Sequence, residues 1–271
     1  MIIFTRPPYP WLLYSYLLLS VTDTSSARYL RRGVKGVIID SGVHKVFKVW
    51  RLSEYPGGPA AWMARIASLY SVAKRYVDSV YAVVPDYPSD YRENPVPNNV
   101  ERTIKNIELA LDSFRGVRWI IPVQGRPDSV QSVAQTIELL EELGLLRSSY
   151  VAVAPTCTSK SVSFLKRLAE VARALLPRDR KIHMFGVTMR AWGAIEKYVD
   201  STDTIVYSYM CKKLYGKLCS KTSEHVEAWR MFLEELRRRG YLSELPDSPI
   251  AREQGRLAAD FSDSRRPAGR W

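Results

Sequence analysis

Seven short apolar runs recur along the chain, and helical patterns fill most of the gaps between them. The runs lie at 12–21, 37–40 (VIID), 80–85, 118–124 (RWIIPVQ), 150–155 (YVAVAP), 181–187 (KIHMFGV) and 204–208 (TIVYS). Strands that are apolar throughout, rather than alternating, are buried on both faces, and a parallel sheet covered by helices is the arrangement that buries them. The intervening segments have helical periodicity: 58–78 places Trp62, Ile66, Leu69, Ala73 and Val77 on one face, and 98–114 does the same with Ile104, Ile107 and Leu111. Asn98 and Glu101 stand at capping-box spacing, Asp128 suits the cap of a helix over 128–143, and Gly144 suits its stop. Segments 159–176 and 222–239 complete the helical set. Seven strands with room for an eighth, in 271 residues, predict an α/β fold. The expected architecture is a single (β/α)8 TIM-type barrel over residues 1–245 with a C-terminal helix. A doubly wound open sheet is the rival, but no glycine-rich phosphate loop follows the early strands. Residues 246–271, rich in Arg, Ser, Pro and Asp and without periodicity, are expected to form a mobile basic tail in which Arg265, Arg266 and Arg270 can meet phosphates.

Charge and cysteine content narrow the setting. Forty Lys and Arg against 28 Asp and Glu give a net charge of +12, which suits a polyanionic partner. Two basic stretches interleaved with aromatics, RYLRRGVK (28–35) and KVFKVWR (45–51), suit phosphate contact and base stacking, or an ordinary solvated face. The three cysteines, Cys157, Cys211 and Cys219, are too few and too scattered for a disulfide framework. The longest apolar stretch, WLLYSYLLLSV (11–21), is too short to span a bilayer. A reducing, cytoplasmic location with no membrane contact is the expectation.

In barrels of this kind the chemistry gathers at the C-terminal ends of the strands. Polar residues stand there repeatedly: Asp40 with Ser41 after VIID, Asp86 after VYAVVP, Gln124 with Gly125 after IIPV, Thr156, Gly186 with Thr188, and Asp200 and Asp203 in VDSTDTIV. A lone Asp near a strand end is usually a cap or turn residue, as expected for Asp90. Repetition at successive strand ends points instead to one shared mouth. One carboxylate can attack a sugar carbon and hold a glycosyl intermediate while a second moves protons. A third carboxylate and an amide can read the edge of a purine. The histidines His44, His183 and His225 are scattered, and His183, inside a strand pattern, reads as a core residue.

With these blocks in order, the chain resembles the tRNA-guanine transglycosylase superfamily. It looks closest to the small branch that inserts 7-deazaguanines into DNA. The correspondence runs from about residue 17 to 208: LLLSVTDTSSARYLRRG resembles the branch's opening strand, IIDSGVHKVF the DSGGFQ block, AVVPD the strand ending in the substrate-reading aspartate, IIPVQG the glutamine block, HMFGVT the LMGVG strand, and VDSTDTIV the VDMFDCV block. The resemblance implies a pentosyltransferase that replaces guanine in a nucleic acid, DNA or tRNA, with a 7-deazaguanine such as 7-cyano-7-deazaguanine, as in queuosine and archaeosine chemistry. It implies Asp203 as nucleophile, with Asp200 next in line, and Asp40 as proton carrier. Ser41, Asp86, Gln124, Gly125, Gly186 and backbone groups near 154–156 would hold the base. No cofactor is required. A homodimer or a partner protein is a further implication. The family's zinc motif is only loosely matched by Cys211, Cys219 and His225, which would carry a structural zinc with one ligand missing. Ala154-Pro155 replaces the family's glycine pair, and Val43-His44 replaces the second half of DSGGFQ. A hydrolase of N-glycosidic bonds and a non-catalytic nucleic-acid-binding subunit are the alternatives.

Overall fold

The structure, a computed structural model, describes residues 1–89, 98–157, 159, 161–204 and 207–242. The elements run β1 (Ile2–Phe4), β2 (Tyr16–Ser20), β3 (Gly36–Asp40), α1 (Gly58–Lys74), β4 (Val80–Val83), α2 (Asn99–Ser113), β5 (Trp119–Val123), α3 (Val130–Glu142), β6 (Tyr150–Val153), α4 (Val162–Leu175), β7 (Lys181–Met184), α5 (Trp192–Ile195), β8 (Ser201–Asp203), α6 (Tyr207–Tyr215) and α7 (Thr222–Arg238). The strands are all parallel and follow the order β1-β8-β7-β6-β5-β4-β3-β2. Thr5 brings the ring back to its start: its N–H donates to Tyr16 O at 3.2 Å and its carbonyl accepts from Leu18 N–H at 3.1 Å. This is a (β/α)8 TIM-type barrel.

The barrel interior is a packed core. Phe4, Ile38, Val83, Ile120, Tyr150 and Ala152 pack together, with Tyr16, Leu18, Tyr81 and Phe185 against them. Side chains alternate along a strand, so Asp40 shares the inward face of Ile38, Gln124 that of Ile120, and His183 that of Phe185. The inward register that fills the core thus also delivers polar groups to the barrel's upper end.

Several local expectations change. The strand expected at 12–21 is confined to Tyr16–Ser20. The eighth strand is β1, three residues long, in the short apolar run MIIF, outside the seven runs expected to form strands. The strand expected at 204–208 lies earlier, at Ser201–Asp203. Its polar residues are nonetheless buried because their hydroxyls are bonded: Thr202 Oγ1 donates to Met184 O at 2.6 Å. Asn98 forms no side-chain cap; it stands at φ 52°, and Glu101 pairs instead with Lys105, one turn on, at 2.7 Å. Ser129, not Asp128, caps α3 by accepting from Ser132 N–H at 3.2 Å. The expectations for Asp90 and for the tail 246–271 fall outside the described residues.

The chain divides into two compact units, Met1–Arg6 with Tyr16–Thr204, and Pro7–Ser15 with the residues from 205 on. The first is the barrel. Within the second, Tyr9 stacks on Trp11 with ring centroids 4.4 Å apart, and Tyr14 meets Trp229 edge-on at 5.8 Å. Trp229, Phe232 and Leu236 form the buried face of α7. Cys211 and Cys219 are joined in a disulfide, a single bridge where the cysteine count argued against a disulfide framework and for a reducing compartment. Among the described residues, no helix is long and apolar enough to cross a membrane.

Candidate active site

Asp40 ends β3 and turns back on its own loop: Gly42 N–H donates to Oδ2 at 3.0 Å. Gly42 makes this turn at φ 78°, and a Cβ there would fall 2.4 Å from Thr22 Cγ2, so no larger residue fits. Burial pushes the Asp40 carboxyl up to about 6, and the charge of Asp203 pushes the same way; Gly42 and the Ser20 hydroxyl hold it partly down. Because the strands are all parallel, the C-terminal ends of β3 and β8, with Asp40 and Asp203, lie at the same end of the barrel.

Asp86 lies three residues past β4 and is 3% exposed. Gln124 Nε2 donates to its Oδ2, and Ser41 Oγ, at 3.4 Å, approaches Oδ1. Burial pushes this carboxyl up to about 7; the Gln124 bond opposes the shift, and the Asp40 charge adds to it. The same side chain of Gln124 leaves Oε1 buried with no hydrogen-bond donor among the described residues. A buried acceptor without a donor is costly, by roughly 1–3 kcal/mol, and marks a place where a ligand N–H fits.

Beneath this pair is an aromatic floor. Tyr55 OH donates to Asp86 O at 2.6 Å, and Trp62 Nε1 donates to Ser41 O at 2.8 Å. Phe47, Tyr55, Trp62 and Tyr87 are all buried, with ring centroids between 5.1 and 5.6 Å apart where they touch. Glu54 ties the floor to α2 by accepting from Tyr87 OH at 2.5 Å and from Arg102 at 2.7 Å. These bonds fix the backbone on either side of Asp86, so its carboxyl has a single orientation.

Asp203 ends β8. Its Oδ1 accepts from Gly186 N–H at 2.9 Å and meets His183 Nε2 at 3.0 Å, while Oδ2 has no donor among the described residues. Gly186 is required by its φ of 59° and by Cys157, whose Cβ would lie 2.7 Å from an added Cβ. Its N–H therefore serves Asp203 and is not available to a base, contrary to the expectation for this residue. Ala154 N–H donates to Val123 O at 2.9 Å and Pro155 has no N–H, so neither offers a backbone donor to a ligand. Gly125 packs on α3, where an added Cβ would come 2.4 Å from Val133 Cγ2. Its contribution is close approach, and its carbonyl accepts from Ser89 Oγ. A cavity of about 680 Å³ opens beside Gly125 and Arg126, between Asn98 and Gln135, and Asp40, Asp86 and Asp203 do not line it.

Asp200 does not join the mouth. It precedes β8 at the barrel's other end, where Oδ2 accepts from Arg173 at 2.6 Å and from Ile182 N–H at 2.8 Å. The Asp-x-x-Asp spacing spans a three-residue strand, so its two carboxylates lie at opposite ends. Of the basic stretches, 45–51 directly follows the Asp40 turn, whereas 28–35 ends at Lys35, beside the opposite end of β3.

Cys211 Sγ, Cys219 Sγ and a ring nitrogen of His225 lie within 4.8 Å of one another. The residues do not fit a zinc site in this state. The two sulfurs are bonded to each other rather than being thiolates, and no fourth ligand stands with them among the described residues.

The residue that sequence reasoning undervalued is His183. It is a core residue, fully buried as expected, but both ring nitrogens are engaged: Nε2 with Asp203 and Nδ1 with Ser201 Oγ at 2.7 Å. The available signal was a histidine inside an apolar strand, since a buried polar group needs a partner.

Neither a protein-family model nor any curated protein matches the chain.

Proposed function

We propose that this chain is a base-exchanging transglycosylase. It would replace guanine in a nucleic acid, DNA favoured over tRNA, with a 7-deazaguanine through a covalent aspartyl-glycosyl intermediate. The carrying observation is the division of labour at one mouth: Asp203 with Oδ2 open, Asp40 with its carboxyl pushed up to about 6, and the Asp86–Gln124 pair with a buried acceptor lacking a donor.

The chemistry follows from those states. Asp203 Oδ2 attacks the anomeric carbon, the bond to N9 breaks, and N9 keeps the electron pair. Asp40 in its acid form supplies a proton to the leaving guanine, for which a carboxyl near neutrality is suited. In the second half the Asp40 carboxylate takes the N9 proton of the incoming 7-deazaguanine, which attacks the same carbon and releases Asp203. Two displacements give net retention. Asp86 accepts from N1–H and the exocyclic amine of the purine, and Gln124 offers both an acceptor and a donor to the same edge. The target nucleotide must leave the stack to reach them.

The nucleic-acid partner rests on the segment after Asp40. Trp50 is 41% exposed with the Lys45 ammonium 5.4 Å from its ring centroid, and Lys48 and Arg51 flank it. An exposed ring beside cations suits a base stacked next to its phosphate.

The test is incorporation of labelled guanine into duplex DNA, single-stranded DNA and tRNA, with D203A as control. Label in one polymer, lost in D203A, supports the reading and identifies the substrate. No incorporation into any polymer overturns it.

A further inference from the structure

We propose that His183 is a positioning residue that selects which oxygen of Asp203 attacks, and that Ser201 and Tyr150 fix its tautomer. The proposal rests on the transglycosylase reading above for its kinetic consequences, though not for its geometry.

Four side chains form one buried chain. Tyr150 OH lies 2.5 Å from Ser201 Oγ, Ser201 Oγ lies 2.7 Å from His183 Nδ1, and His183 Nε2 lies 3.0 Å from Asp203 Oδ1. Ser201 and Asp203 are two apart on β8 and so share a face, and Ser201 is in register with His183 on β7. One imidazole therefore spans both. Tyr150, His183 and Ser201 are 3% exposed or less.

The direction of each bond follows from the last acceptor. A carboxylate oxygen only accepts, so Nε2 carries the proton. In the neutral ring Nδ1 then accepts, Ser201 O–H donates to it, and Tyr150 O–H donates to Ser201. Phe4, Phe185 and Tyr150 surround it, with centroids 6.4, 5.1 and 6.4 Å away. The titratable groups nearby are Asp203 itself, Asp40 across the mouth, Tyr150 with Tyr81 and Asp200 acting on it, and Lys181, whose ammonium sits 5.9 Å from the Tyr150 ring centroid. Burial also pushes the Tyr150 phenol up, which keeps it a donor. With Gly186 N–H as the second donor to Oδ1, that oxygen is committed and the carboxylate cannot rotate freely. Oδ2 is left to meet the sugar. A displaced nucleophile loses about 10²-fold in rate for roughly 1 Å of misplacement.

The experiment combines guanine exchange with 15N NMR of the full-length protein labelled at its three histidines. H183F is expected to lower kcat by about 10²-fold with KM changed by less than about threefold. H183Q, which keeps a donor at the Nε2 position, should recover most of that loss. S201A should lower kcat by about 10-fold and Y150F by less. The His183 signals, assigned by their loss in H183Q, should show the Nε2–H tautomer. In S201A the ring should sample both tautomers. If H183F fails to fold, S201A and Y150F carry the kinetic test, since they leave the ring in place. Unchanged kcat in S201A and H183F, or an Nδ1–H tautomer in the wild type, overturns the proposal. If the wild type exchanges no guanine, the transglycosylase reading fails. The NMR then still decides whether His183 holds Asp203: D203N must change its tautomer, and an unchanged spectrum overturns the positioning role.

Discussion

The two sides of the mouth treat their carboxylates differently. On the β3–β5 side, Asp40 and Asp86 sit in surroundings that penalise charge, and their carboxyls are pushed up to about 6 and about 7. On the β7–β8 side, Asp203 receives a backbone N–H and an imidazole on one oxygen. A poorly solvated carboxyl can carry a proton near neutral pH, whereas two donors directed at one oxygen fix how a carboxylate is oriented. On the proposed reading, this difference is what would separate a proton carrier and a base reader from a nucleophile, although all three are aspartates near strand ends.

The comparison can be broken experimentally. The largest effect is expected on the donor-rich side: D203A should reduce guanine exchange by roughly 10⁴-fold, measured as label incorporation, with no covalent adduct on a denaturing gel. Next, D40N should cost about 10²-fold and flatten the limb of the pH–rate profile near 6; an unchanged limb would assign it to another group. Q124A should raise KM for the base by about 10-fold or more, because the purine edge loses partners.

Stability should respond to the charge-penalising side. The folded-state carboxyl of Asp86 lies above its unfolded value of 3.8, at about 7. Its contribution is therefore fully present below pH 4 and is lost as pH rises through 7. D86N cannot ionise and should be more stable than wild type at pH 8 by about 2 kcal/mol, with the gap closing only as pH falls to about 4, as read from urea melts. The smallest effect is expected outside the mouth: W50A should weaken single-strand binding by about 1–3 kcal/mol and leave the melting temperature unchanged.

Much of this arrangement was legible before the fold was known. The apolar runs marked six strands, because strands buried on both faces leave no polar positions, and Asp40, Asp86 and Gln124 were legible as breaks at the ends of such runs. β8 was misplaced for the converse reason. Ser201 and Thr202 are buried polar residues whose hydroxyls are satisfied by other strands, so nothing apolar marks the strand. The same shift separated Asp200 from Asp203. Their spacing looks like a pair, but a strand advances about 3.3 Å per residue, which puts Arg173 beside one and His183 beside the other.

The amino-acid sequence by itself determined the alternation of strands and helices and the polar residues at most strand ends, since both depend on local patterns of burial. Only the tertiary structure decided which of those residues share an environment. His183 meets Asp203 and Gln124 meets Asp86 across strands far apart in sequence, at separations of 20 and 38 residues. Hydrogen bonds and burial penalties act over a few ångströms of space, so the contrast between the surroundings of Asp40 and Asp86 and those of Asp203 exists only once the barrel has closed.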